Sequence, residues 1–195
     1  MKQYLTLIIL PLLLSGCKPY NHKAIYFEYY SYSASCFSER YYGWIMDQDG
    51  NILSYQKPQM EVPADMNGYV APDSIDKFIS RCNTVIGKIN VHEVAKHKDL
   101  IASVVLAKTI KEGRLTYGDQ RCCYYCYWYD PIKRKYKKIL LREQSQCSLK
   151  NIHPNAKTLE SWMYAIGSEK CQMMNPDSFH VIIRNEKNHF RRHRF

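Results

Sequence analysis

The sequence predicts an α+β domain: an antiparallel sheet of two hairpins plus an N-terminal strand, packed by about three helices. Three observations predict it. Segments rich in aromatic and β-branched residues, suited to a pleated and half-buried surface, recur at 24–33, 40–47, 51–56, 124–129 and 136–142. Strong turn pairs, Asp49-Gly50 and Asp130-Pro131, separate neighbouring segments of this kind. Three further stretches carry apolar residues at helical spacing.

The N-terminal segment precedes the domain. Lys2 is followed by the apolar run Tyr4–Leu14 and then by Leu14-Ser15-Gly16-Cys17. The run is eleven residues long, interrupted by Pro11, and falls short of the roughly 20 residues that span a bilayer as a helix. It reads as an export signal over residues 1–16. The tetrapeptide resembles the bacterial lipobox, whose small residues direct cleavage before a cysteine that carries a diacylglyceryl thioether; here that residue is Cys17. Residues 17–23 are then a lipidated anchor and short linker, 24–184 a single α+β domain, and 185–195 a basic, disordered tail. The expected location is the cell envelope, lipid-anchored on a periplasmic or outer-surface face.

Within the domain, "AIYFEYYSYS" (24–33) gives the N-terminal strand, while "RYYGWIMD" (40–47) and "NILSYQ" (51–56) give a hairpin across Asp49-Gly50. Asp47, Asp49 and Asn51 have the spacing of a calcium loop, but Ile52 replaces the glycine and Pro58 the glutamate that such a loop requires. Pro58, Pro63 and Pro72 mark a connecting loop. Asp73 then caps a helix with apolar residues Ile75, Phe78, Ile79, Cys82, Val85 and Ile86. A second helix, about 92–112, carries Ile101, Val104, Val105 and Ala107 and stops at Gly113. "YYCYWY" (124–129) and "YKKILLR" (136–142) form the second hairpin. A third helix starts at Pro154, buries Leu159, Trp162, Met163 and Ile166, and ends at Gly167. "FHVIIR" (179–184) adds a last strand.

The stretches "YYGWIMDQDGNILSYQKP" (41–58), "YKKILLREQ" (136–144) and "SLKNIHPNAKTLESWM" (148–163) together resemble small uncharacterised bacterial lipoproteins. In these an aromatic hairpin with a D-x-x-G turn precedes helices, and an "ILL" strand leads into a Pro-Ala-x-x-Leu-x-x-Trp helix. The resemblance covers the middle two thirds of the chain and implies fold and anchoring. It implies no activity and no catalytic residues.

With Cys17 lipidated, Cys36, Cys82, Cys122, Cys123, Cys126, Cys147 and Cys171 remain, an odd number in an oxidising compartment. At least one stays unpaired or joins another chain. A zinc site needs two ligand pairs, and the pair nearest in kind to Cys123-x-x-Cys126, His189-x-x-x-His193, stands too far along the chain for a C2H2 finger. A redox Cys-x-x-Cys sits at a helix N-terminus, whereas Tyr124, Tyr125, Tyr127, Trp128 and Tyr129 favour a strand. Strand neighbours Cys122 and Cys123 point to opposite faces. Disulfides pinning the 118–130 strand are the expectation, with Cys82 a partner or an inert core thiol, and no metal or cofactor.

The net charge of +10 is concentrated in "IKRKYKK" (132–138) and "RNEKNHFRRHRF" (184–195). In an exported lipoprotein such runs meet anionic lipid or glycan and not nucleic acid. Lys133, Arg134, Lys135, Lys137 and Lys138 are the candidate binding residues, for an envelope protein or an anionic glycan. The seventeen tyrosines exceed what a core alone would use, which makes the aromatic sheet a second candidate surface. No catalytic signature appears: G-x-S-x-G, H-E-x-x-H and a phosphate loop are all missing, and His92 and His97 are five apart, about 140° out of line on a helix. These readings converge on a membrane-anchored envelope lipoprotein acting as a non-catalytic binding or structural module. The alternative is an envelope hydrolase or thiol-redox accessory.

Overall fold

The computed structural model describes residues 24–35, 38–56, 61–82, 84–113, 119–145 and 147–170. The expected signal, anchor, linker, 179–184 strand and basic tail lie outside the described residues, as do Cys17, Cys36 and Cys171. In chain order the elements are β1 (Ile25–Ser35), β2 (Ser38–Asp47), β3 (Asn51–Gln56), β4 (Tyr69–Val70), α1 (Pro72–Ile79), β5 (Thr84–Lys88), α2 (Val91–Val104), β6 (Thr109–Lys111), β7 (Asp119–Asp130), β8 (Lys135–Gln144), β9 (Leu149–Asn151) and α3 (Pro154–Lys170). The strands pair antiparallel in one nine-stranded sheet, ordered β5-β3-β2-β1-β7-β8-β9-β6, with β4 added on β8. The architecture is α+β, with a wider sheet than expected. β1 lies between the β2–β3 and β7–β8 hairpins.

Aspartates template the turns at one end of this sheet. Asp47 Oδ1 accepts the amides of Asp49 and Asn51, both at 2.9 Å, and Gly50 adopts φ 78°, so the calcium-like spacing builds a β-turn. A Cβ on Gly50 would stand 2.3 Å from the Ile89 carbonyl oxygen, which adds a steric reason for glycine. Asp130 Oδ1 accepts the amides of Ile132 at 3.0 Å and Lys133 at 3.1 Å and shapes the β7–β8 turn. Asp65 Oδ1 does the same for Asn67 and Tyr69, both at 2.9 Å, ahead of β4.

Two helices are shorter than their apolar spacing predicts. α1 stops at Ile79, and Val85 and Ile86 lie instead in β5, where Val85 pairs with Leu53 of β3. α2 stops at Val104 well before Gly113, and Thr109–Lys111 form β6 against β9. Both departures replace helix with strand where β-branched residues meet an open sheet edge; pairing there outweighs a weak helical preference. α3 begins at Pro154 as expected.

The sheet is covered on both faces. On one, Phe27, Tyr29, Trp44, Met46, Ile52, Cys122, Tyr124, Cys126, Ile139 and Leu141 pack under Val94, Ile101 and Val104 of α2 and Ala156, Leu159, Met163 and Ile166 of α3. The two helices are joined by the Trp162 indole, which stacks on the His97 ring with centroids 3.9 Å apart and donates to Glu93 Oε1 at 2.6 Å. His97 is thus a packing residue, while His92 is exposed. On the other face Ile25, Tyr30, Ile45, Tyr55, Cys123, Tyr125, Tyr127 and Tyr136 pack under α1 and the 62–70 segment. With helices and loops on both sides, many of the described tyrosines are buried, while Tyr129 is exposed and Tyr26, Tyr32, Tyr41, Tyr42 and Tyr69 are half-buried.

Candidate functional site

The most distinctive polar constellation is built on Glu28, a fully buried carboxylate in the central strand β1. A carboxylate taken out of water costs several kcal/mol unless it is paired and hydrogen-bonded. Here Oε1 accepts the Tyr55 hydroxyl at 2.9 Å and the Val62 amide at 2.7 Å. Oε2 accepts the Tyr127 hydroxyl and pairs with Lys138 Nζ at 2.9 Å. The donors come from β3, the 61–65 loop, β7 and β8, so one carboxylate ties together elements on either side of its own strand.

Gly43 makes the reach of Tyr55 possible. It sits on β2 between Tyr30 of β1 and Tyr55 of β3. A Cβ there would lie 2.3 Å from Tyr55 Cζ and 2.4 Å from its hydroxyl oxygen, so the Tyr55 ring crosses β2 through the space a side chain would occupy. Its hydroxyl is then shared between Glu28 and the Tyr29 carbonyl, 3.2 Å away. Burial, followed by the Glu28 charge, raises both the Tyr55 and Tyr127 hydroxyls well above the ordinary tyrosine range, which keeps them as donors.

The charge continues outward. Lys138 Nζ also meets Glu61 Oε2 at 3.1 Å and the Val62 carbonyl at 2.8 Å, and lies 3.9 Å from the centre of the Tyr125 ring. Arg121 bridges Glu61 at 3.6 Å and Glu143 at 3.1 Å. Burial alone would raise the Glu61 carboxyl, but Lys138, the Tyr125 hydroxyl and Arg121 together bring it below its ordinary value of 4.5. The alternation Glu28, Lys138, Glu61, Arg121, Glu143 runs from the core to the surface with every charge compensated by the next.

The basic run of the sequence divides into two classes. Lys138, expected as a surface contact, has a side chain only 6% exposed and is the counter-ion of the core. Lys133 and Lys137 lie over the Tyr69 ring at 4.0 and 4.6 Å, Lys135 pairs with Asp65 at 3.4 Å, and Arg134 occupies the exposed turn with φ 51°. The four form an outward cluster at the sheet end. Glu28 and Gly43 carried no expectation of a role. A charged residue inside "YFEYY" and a glycine inside "YYGWI" were the two signals that pointed to them.

The cysteines of the opening strand alternate as expected, Cys122 to the α2/α3 face and Cys123 to the α1 face. All five described cysteines, Cys82, Cys122, Cys123, Cys126 and Cys147, are free thiols, and no disulfide joins any two of them. Three successive sulfur-bearing positions on one strand are held by aromatic packing instead. Cys122 Sγ lies 3.4 Å from Ser31 Oγ and 3.6 Å from the Tyr29 hydroxyl. Burial pushes the Cys123 and Cys82 thiols up to about 12 and raises Cys126 further, which leaves almost no thiolate at neutral pH. The cleft beside Cys122, lined by Tyr29, Tyr124, Met163 and Gly167 among others, has room for about one water molecule.

No family model, curated protein or solved structure matches this chain.

Two expectations follow from the Glu28 cluster. Lys138→Met strands a buried carboxylate and is expected to cost about 3–5 kcal/mol, whereas adding Glu28→Gln should restore much of that loss. Urea denaturation of the two singles and the double variant measures it; strictly additive costs would show that the pair is not coupled. The second concerns acid. Because Glu61 titrates below its unfolded value, the unfolded chain takes up the proton first, so this group's stabilisation is present above 4.5 and is lost as pH falls through its folded value. Stability measured at descending pH should decline less steeply in Glu61→Gln than in the native protein.

Proposed function

We propose that the protein is a membrane-anchored envelope lipoprotein that acts by binding and not by catalysis. The anchor is the acylated Cys17 of Leu14-Ser15-Gly16-Cys17. No helix among the described residues is long and apolar enough to cross a membrane, and the proposal needs none, because acyl chains contribute about 0.8 kcal/mol per buried methylene.

One observation carries the binding reading: the domain's ionisable groups are divided between a closed, mutually satisfied core and an open basic cluster. Glu28 and Lys138 are satisfied by each other and by neighbouring donors and acceptors, and neither lines the cleft beside Cys122. The buried thiols are held protonated, which weighs against a thiol-redox accessory. Lys133, Arg134, Lys135 and Lys137 stand outward at the β7–β8 turn. The contact surface is this basic turn, and the partner is an anionic glycan, an acidic envelope protein or the anionic bilayer itself.

Two measurements test it together. Cys17→Ala is expected to leave an unprocessed or soluble protein, while the native protein partitions into detergent and takes up labelled fatty acid; equal partitioning contradicts the anchor. Crosslinking in the envelope should then capture a partner lost when Lys133, Arg134, Lys135 and Lys137 are neutralised. Turnover of a peptide or glycan library that vanishes on mutating one Cys or His would replace binding with catalysis.

A further inference from the structure

The basic turn does not stand alone. Lys135 pairs with Asp65 at 3.4 Å, Lys137 donates to the Asn67 carbonyl, and Tyr69 donates to Asp130 Oδ2 at 3.4 Å. These contacts fasten the 65–68 turn against the 131–134 turn and make one surface of the two. Each turn projects a large apolar side chain into water: Met66 is 105% exposed and Ile132 93%. Two such residues at the tips of neighbouring turns, ringed by Lys133, Arg134, Lys135 and Lys137, combine an apolar wedge with a cationic collar. Asp65 and Asp130 are carboxylates in the cluster; both accept turn amides, keep their negative charge and offset part of the four cations. Asp49 stands exposed in the nearby β2–β3 turn and subtracts one charge from this end.

The point where the chain enters the fold adds a second, independent constraint. β1 runs antiparallel to β7 with Phe27 opposite Cys126, so it begins at the sheet end where β7 turns into β8. The Gln48 amide donates to the Ala24 carbonyl at 2.9 Å, which fixes that start beside the β2–β3 turn. Six residues, 18–23, separate Ala24 from Cys17, so the two are seven residue steps apart. A chain of that length spans at most about 24 Å, so an acylated Cys17 keeps this end of the sheet close to the bilayer.

We propose that the Met66/Ile132 tip with its ring of Lys133, Arg134, Lys135 and Lys137 docks on the anionic headgroup surface of the membrane that holds the anchor. The proposal rests on the anchored reading above and names the partner of the basic turn. Met66 and Ile132 enter the interfacial layer while the cations stay among the phosphates, as amphipathic surface elements do. The short tether raises the local concentration of lipid at the tip, so a patch too small to bind vesicles by itself docks once anchored. The result is a domain held in one orientation, with the α2–α3 layer to one side of the sheet and α1 to the other.

The test uses the native lipidated protein reconstituted in vesicles of equal parts phosphatidylglycerol and phosphatidylcholine, with brominated acyl chains as the quencher. I132W is compared with I152W, which places the same probe at another exposed isoleucine on the β9–α3 connection. The emission added by I132W should be blue-shifted and quenched, and that added by I152W should not. The quenching should fall when K133Q, R134N and K137Q are introduced. It should fall likewise in high salt, where the screening length shrinks from about 10 Å at 0.1 M to about 3 Å at 1 M, a check that needs no altered turn. Vesicles that float with bound protein while I132W stays unquenched would overturn the docking and leave the anchor standing. Protein that does not float with vesicles overturns both. Quenching indifferent to salt and to the three substitutions, with loss of a crosslinked protein or glycan instead, would assign the cations to that partner and overturn the proposal.

Discussion

The fold is organised around a carboxylate that it cannot leave unpaired. Glu28 is fully buried in the central strand, and its two oxygens take four donors from β3, the 61–65 loop, β7 and β8. Each donor constrains a different part of the chain. Tyr55 requires a glycine at 43, Tyr127 fixes the register of β7 on β1, Lys138 turns inward from an otherwise exposed basic run, and the Val62 amide holds down a loop that lacks regular structure. Removing any one leaves a charge or a polar group buried without compensation. That asymmetry, more than the modest net gain of the intact pair, makes the cluster decisive.

The same arrangement accounts for the tyrosines. Their rings fill both faces of the sheet, and the hydroxyls that would be costly to bury become the donors that solvate Glu28, while the hydroxyl of Tyr29 meets Cys122 and Tyr42. A tyrosine-rich sheet is therefore compatible with coverage of both its faces by helices and loops. The sheet end where β1 begins carries the aspartate-templated turns and the outward cations, away from this closed core. The closed core and the basic tip are two consequences of how charge is divided along β8: Lys138 faces in, and Lys135 and Lys137 face the 65–69 segment.

Much of the fold was legible because its signals are local. Asp49-Gly50 and Asp130-Pro131 name their turns, and Pro154 starts its helix, each within a few residues. The misread segments share a different property. Val85, Ile86, Thr109 and Ile110 continue a helical spacing by chance, and only the exposed edges of β3 and β9 decide that they extend. β4 and β9, of two and three residues, are too short for any periodicity. The core site was least legible. Tyr127 and Glu28 are 99 positions apart, and nothing near Lys138 distinguishes it from its four surface neighbours. Gly43 and Glu28 are residues whose type clashes with their aromatic strand surroundings, and that clash marks where distant parts of the chain meet.

Hydrogen exchange at the Val62 amide tests this account most directly. Val62 belongs to no helix or strand, and among the described residues its amide donates to Glu28 Oε1, at 2.7 Å, in place of a strand ladder. If the buried carboxylate organises the sheet, Val62 exchanges as slowly as the amides of β1 and β7, through global unfolding alone. Exchange at the rate of an open loop, with β1 and β7 still protected, would show that the sheet stands without Glu28 holding its surroundings in place.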